Sequence, residues 1–113
     1  MHEIGIMQGT LDLALQTAQE ANATQIQCVR MRVGAMTGVV ADALQFAFEA
    51  LREGTPAAGA RLEIQTVSAR CWCKNCQSDF EIADWLQLCP RCQAISSDLR
   101  QGLELELVSV DVD

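Results

Sequence analysis

Two Cys-x-x-Cys pairs, Cys73-Lys74-Asn75-Cys76 and Cys89-Pro90-Arg91-Cys92, stand twelve residues apart in a chain of 113 residues. A two-residue gap lets one tight turn present two thiolates to a single ion, and Zn²⁺ takes four such ligands tetrahedrally. The stretch that carries them, from Arg70 to about Asp98, is too short to bury the apolar surface that folding alone requires. Metal binding supplies roughly 10–16 kcal/mol for peptides of this kind, so an ion is expected to organise the segment. Two disulfides or a thiol-redox pair are the competing readings. The duplicated spacing favours one zinc ion held by Cys73, Cys76, Cys89 and Cys92. Cys71 places a spare thiol beside the first pair, and Cys73 is preferred because its spacing to Cys76 matches that of the second pair. Cys28 reads as a small buried residue rather than a ligand. Four thiolates leave no open position for water, so the site is structural rather than catalytic.

Around this segment the hydrophobic periodicity predicts an α+β fold. Met7, Leu11, Leu15 and Ala18 recur at helical spacing, which predicts an amphipathic helix from Ile4 to about Ala21 with a loose, glycine-containing first turn. Residues Ile26 to Val33 end in strand alternation, followed by a turn from Gly34 to Gly38. A second helix is expected from Asp42 to Arg52, stopped by Gly54 and Pro56. A second strand is expected over Leu62–Val67 and a third over Leu103–Val112. The third changes phase between Leu107 and Val108, as a β-bulge does. The expected architecture is a small three-stranded sheet with two helices, residues 1–69 and 99–113, with a zinc-ribbon-like module, residues 70–98, inserted before the last strand.

Charge narrows the function. Eight Lys and Arg against fifteen Asp and Glu give a net charge of -7, which argues against nucleic acid or an anionic membrane as partner. Between Arg70 and Arg100 the basic residues Arg70, Lys74, Arg91 and Arg100 are offset by Asp79, Glu81, Asp84 and Asp98, so this stretch too is a poor phosphate binder. No apolar run approaches the ~20 residues of a membrane span, and Met1-His2-Glu3 has neither the basic start nor the apolar core of a signal peptide. A cytoplasmic protein is expected. An enzyme is disfavoured, because the single histidine is terminal and no nucleophile–base pair is evident.

That histidine, His2, is either an ordinary frayed terminus or part of a chelate. A large second residue generally leaves Met1 in place, so the amine, the His2 amide and the His2 imidazole follow in sequence, with the amide or carboxylate of Glu3 beside them. Such nitrogen donors favour Ni²⁺ or Cu²⁺ over Mg²⁺ or Ca²⁺.

A Met-His-Glu start running into a helix, the Val33-Gly34 turn, the segment Leu44-Gln45-Phe46-Ala47-Phe48-Glu49 and the inserted Cys-x-x-Cys pairs before a terminal strand together resemble the HypA/HybF family of hydrogenase nickel-insertion proteins. The resemblance spans essentially the whole chain. It implies nickel at His2, with Glu3 and the backbone contributing, and structural zinc at Cys73, Cys76, Cys89 and Cys92. It further implies a nickel metallochaperone that works with a HypB-like GTPase to deliver Ni(II) to the large subunit of [NiFe] hydrogenase, some relatives also serving urease. Relatives often carry an acid where this chain has Val40, and zinc ribbons often carry glycine where it has Gln77 and Gln93. Because the last strand follows an insertion, a monomer and a strand-exchanged dimer are both expected possibilities. The alternative is a zinc-ribbon interaction module without nickel transfer.

Overall fold

The structure is a computed structural model that describes residues 2–82 and 86–113. Met1, whose amine belongs to the expected nickel chelate, lies outside the described residues, as do Asp84 and Trp85.

The amino-terminal helix, α1 (Glu3–Glu20), begins one residue earlier than its apolar spacing indicated. Met7, Leu11, Ala14 and Ala18 are its buried stripe; Leu15 packs at the margin of the same core. At its end Asn22 turns left-handed (φ 56°), and the Asn22 and Ala23 N–H groups donate to the Gln19 and Ala18 carbonyls at 3.0 and 2.9 Å. This closure satisfies the carbonyls that a helix end leaves without partners. Gly9 sits in mid-helix on the exposed side, and a methyl added there meets no atom within 4 Å. Gly9→Ala is therefore expected to raise stability by about 1 kcal/mol through reduced unfolded-state entropy, read as a higher urea midpoint at unchanged slope.

Strand β1 (Ile26–Gly34) is the central strand of the first sheet. The second helix, α2 (Ala41–Leu51), makes the crossover that parallel pairing needs, returning the chain as β2 (Arg61–Val67) parallel to β1. The last strand, β6 (Leu105–Val112), lies antiparallel on the other side. Both helices cover one face, where Met7, Leu11, Leu44 and Phe48 meet Val29, Met31 and Val33. On β1, Arg30 reaches Glu63 of β2 at 3.0 Å and Asp111 of β6 at 2.8 Å, and Arg32 reaches Glu106 at 2.8 Å. These ion pairs span the three strands and suit only one register. The phase change in β6 is a bulge: Arg30 pairs with Ser109 and Met31 with Leu107, leaving Val108 as the extra residue.

The cysteine segment builds its own antiparallel sheet from β3 (Arg70–Cys73), β4 (Ser78–Glu81) and β5 (Leu99–Gln101), in the order β4-β3-β5. The sequence ends the cysteine module at residue 98 and leaves 99–102 without a strand. Instead Leu99 and Gln101 pair with Cys71 and Arg70, and Leu99 packs with Cys71 and Phe80. Gly102 (φ 125°) then redirects the chain, so Leu103 and Glu104 precede β6 rather than open it.

The two sheets meet backbone to backbone. A Cβ on Gly34 would lie 2.1 Å from the Gly102 carbonyl oxygen, a separation that only a glycine at position 34 allows. Ala35 N–H donates to Val67 O and Met36 N–H to Gly102 O, each at 2.8 Å. Met36 packs onto the second cluster. The molecule is elongated, 54 × 25 × 16 Å.

Candidate metal centres

Two turns bring the paired cysteines together. Cys73 ends β3, Cys76 lies in the connection to β4, and Cys89 and Cys92 lie in a second turn beside the Leu88–Ile95 bridge. The sulfurs of Cys73, Cys76, Cys89 and Cys92 all lie within 4.8 Å of one another. Cys73 Sγ is 3.5 Å from Cys92 Sγ and Cys76 Sγ is 3.8 Å from Cys89 Sγ. Zn–S distances of about 2.3 Å set tetrahedral sulfur–sulfur edges of about 3.8 Å, so a zinc ion fits this donor set. A disulfide needs about 2.05 Å, and all six cysteines are free thiols.

Cys71 does not belong to the cluster. It is wholly buried, its sulfur accepts from Gln87 Nε2 at 3.6 Å, and burial pushes its thiol up. Cys28 is buried as well, and burial raises it likewise. Within the cluster the backbone N–H groups of Cys92 and Arg91 lower the Cys89 thiol to about 7. The hydrogen bond with the Cys92 sulfur is the main reason that Cys76 is pushed up to about 12. Four thiols so placed cannot all ionise without a cation among them, so metal uptake releases protons and weakens in acid.

Gln77 and Gln93, where ribbons often carry glycine, both adopt the left-handed conformation (φ 53° and 66°). That geometry strains any residue with a Cβ. Gln77 offsets it by donating to the Lys74 carbonyl at 2.6 Å, and Gln93 N–H donates to Cys89 O at 2.9 Å.

His2 is exposed and is the N-cap residue of α1. Its carbonyl accepts the Ile6 N–H at 3.3 Å. The N–H groups of His2 and Glu3 precede this first turn and have no carbonyl partner in the helix ladder, so deprotonating them onto a metal would cost no helix bond. The Glu3 carboxylate points to α2 instead: Val40 N–H donates to Glu3 Oε2 at 3.0 Å. That bond is the main cause of the lowered Glu3 pKa. Sequence reasoning missed this contact, because nothing local links residues 37 positions apart. His2, Glu3, Ile4, Ala43 and Phe46 line a shallow cleft, in which the Ile4 and Phe46 side chains are exposed; Val40, whose N–H is bonded to Glu3, is exposed as well. Asp42 lies in the first turn of α2. Among the described residues no helix is long and apolar enough to cross a membrane.

Comparison with known proteins gives this geometry a context. The family profile for hydrogenase/urease nickel incorporation, metallochaperone, HypA matches residues 1–112. A hydrogenase maturation factor HypA from a Picosynechococcus species is 44% identical over 112 residues, covering 99% of each chain. The protein of the same name from Chloroflexus aurantiacus is 40% identical over 98% of each. The solution structure of the Ni metallochaperone HypA from Helicobacter pylori shares the fold, with a TM-score of 0.68 at 24% identity over 99% of this chain and 97% of that one. A second solution structure, of HypA protein, matches with a TM-score of 0.72 at 25% identity over 100% and 97%. Matched over nearly its full length, the chain belongs to the HypA family of nickel metallochaperones and hydrogenase maturation factors, with nickel as cargo and a four-cysteine site suited to structural zinc.

Proposed function

We propose that this chain binds Ni(II) at its amino terminus, through the Met1 amine, the His2 imidazole and the backbone amides of His2 and Glu3. It then delivers the ion, with a HypB-like nickel GTPase, to the large subunit of [NiFe] hydrogenase in the cytoplasm. The observation that carries this reading is the exposed His2 at the start of α1. Its imidazole and amide precede the helix ladder and are open to a second protein. A carrier must release what it binds, and few ligands on an exposed end allow protonation or ligand exchange to do so. The positive end of the α1 macrodipole also limits how tightly a cation is held there. Cys73, Cys76, Cys89 and Cys92 do the opposite work: four thiolates close a site around zinc and leave it no exchange position. The exposed apolar side chains of Ile4 and Phe46 in the cleft beside His2 support a handover made inside a protein–protein contact.

Nickel titration of the zinc-loaded protein tests the reading. About one nickel per chain is expected, lost in His2→Ala and under an amino-terminal tag but kept under a carboxy-terminal tag, with zinc content unchanged throughout. Undiminished nickel binding by His2→Ala would leave a zinc-ribbon interaction module as the surviving account.

A further inference from the structure

We propose that the Glu3 carboxylate is a positioning latch for the nickel-binding end rather than one of its ligands. The inference rests on the amino-terminal reading above and deepens it.

Val40 is the N-cap residue of α2 and has no side-chain oxygen with which to cap it. Its own N–H is held by Glu3 Oε2 at 3.0 Å, so the cap of the second helix is supplied by the first residue of the other helix. Carboxylate oxygens accept such backbone N–H groups strongly, and the positive end of a helix dipole adds to the attraction. The same bond fixes Glu3, and with it the direction in which His2 leaves α1. The residues around this point otherwise hold it weakly. Ile4 is exposed, an added Cβ at Gly5 meets nothing within 4 Å, and the first helical hydrogen bond, Ile6 N–H to His2 O, is long at 3.3 Å. Without the latch the first turn is free to fray. With it, the His2 side chain stays beside the cleft formed with Ala43 and Phe46. Nickel bound through imidazole and amide nitrogens has its preferred donors already, so the carboxylate can remain on Val40 when the ion is bound.

The role needs an oxygen acceptor, not a charge, and this separates it from ligation. Glu3→Gln keeps an acceptor of nearly the same reach; Glu3→Ala removes it. In zinc-loaded protein without nickel, Val40 amide hydrogen exchange is expected to be slow in wild type, within about threefold of wild type in Glu3→Gln, and at least about tenfold faster in Glu3→Ala. Nickel affinity, measured by competition with a chromophoric chelator, is expected to follow the same order. The nickel-edge absorption spectrum is expected to be the same in all three, and Val40 protection in wild type to survive nickel addition. A changed edge spectrum in Glu3→Gln, or loss of Val40 protection when nickel binds, would make the carboxylate a ligand and overturn the proposal. Equal Val40 exchange in wild type and Glu3→Ala would overturn it too. His2→Ala, run in parallel, reports on the amino-terminal reading alone: nickel binding retained there defeats that reading whatever Val40 does.

Discussion

Cys92→Ser, or a strong chelator, is expected to unfold residues 70–101 while leaving the helices and β1 folded. The module's apolar support is small: Ala69, Cys71, Phe80 and Ile82, with Met36 and Leu99 at the margin. A cluster of that size cannot offset the conformational entropy of some thirty residues, at roughly 1–2 kcal/mol of backbone cost each. The ion supplies the difference, on the order of 10–16 kcal/mol for sites of this class at neutral pH. Serine offers zinc a poorer donor, and its protonated hydroxyl does not replace the thiolate charge. Amide exchange should therefore show protection lost at Cys71 and Phe80 and retained at Val29 and Leu44. Equal protection before and after zinc removal would mean that the second sheet stands without metal. Because the thiols must lose protons to bind, with Cys76 held near 12 before metal arrives, zinc retention should also fall steadily as the pH is lowered.

Gly34→Ala carries the second large effect. Its methyl carbon would lie 2.1 Å from Gly102 O, 2.2 Å from Gly102 C and 2.6 Å from Leu103 N. All three are backbone atoms, so no side chain can swing aside. The sheets must separate, and the hydrogen bonds from Ala35 to Val67 and from Met36 to Gly102 are stretched with them. Overpacking of this kind typically costs about 1–3 kcal/mol or more. For a chain of this size that is a fall of roughly 10 °C or more in the thermal midpoint. A midpoint within a degree or two of wild type would show that the contact gives way easily.

Elements with long, regular patterns were legible in the sequence. The stripe through Met7, Leu11 and Ala18 placed α1 to within a residue, and the shift from Leu107 to Val108 marked a bulge that the pairing confirms. The cysteine spacing named the four sulfurs that converge. The strands of the second sheet were not legible. They are three or four residues long, too short for a period to declare itself, and tertiary pairing rather than propensity makes them strands. Leu99–Gln101 was left without a strand for that reason, and Ala14, which the apolar spacing did not mark, is buried while the larger Leu15 is only partly so. The Glu3–Val40 bond and the Gly34–Gly102 contact each join distant segments, and no local rule announces them.

The pairing of Arg70 with Gln101 bears on how the protein assembles. Strand β6 must find β1 after the chain has wandered through some thirty-seven residues beyond β2. Once the thiol cluster closes, both ends of that excursion lie side by side, and the wandering segment shrinks to a handful of residues. Loop-closure entropy then falls by roughly 2 kcal/mol. The ion acts as a clasp that delivers the final strand to its neighbour, so zinc supply should govern how fast newly made chains mature as well as how long the ribbon lasts.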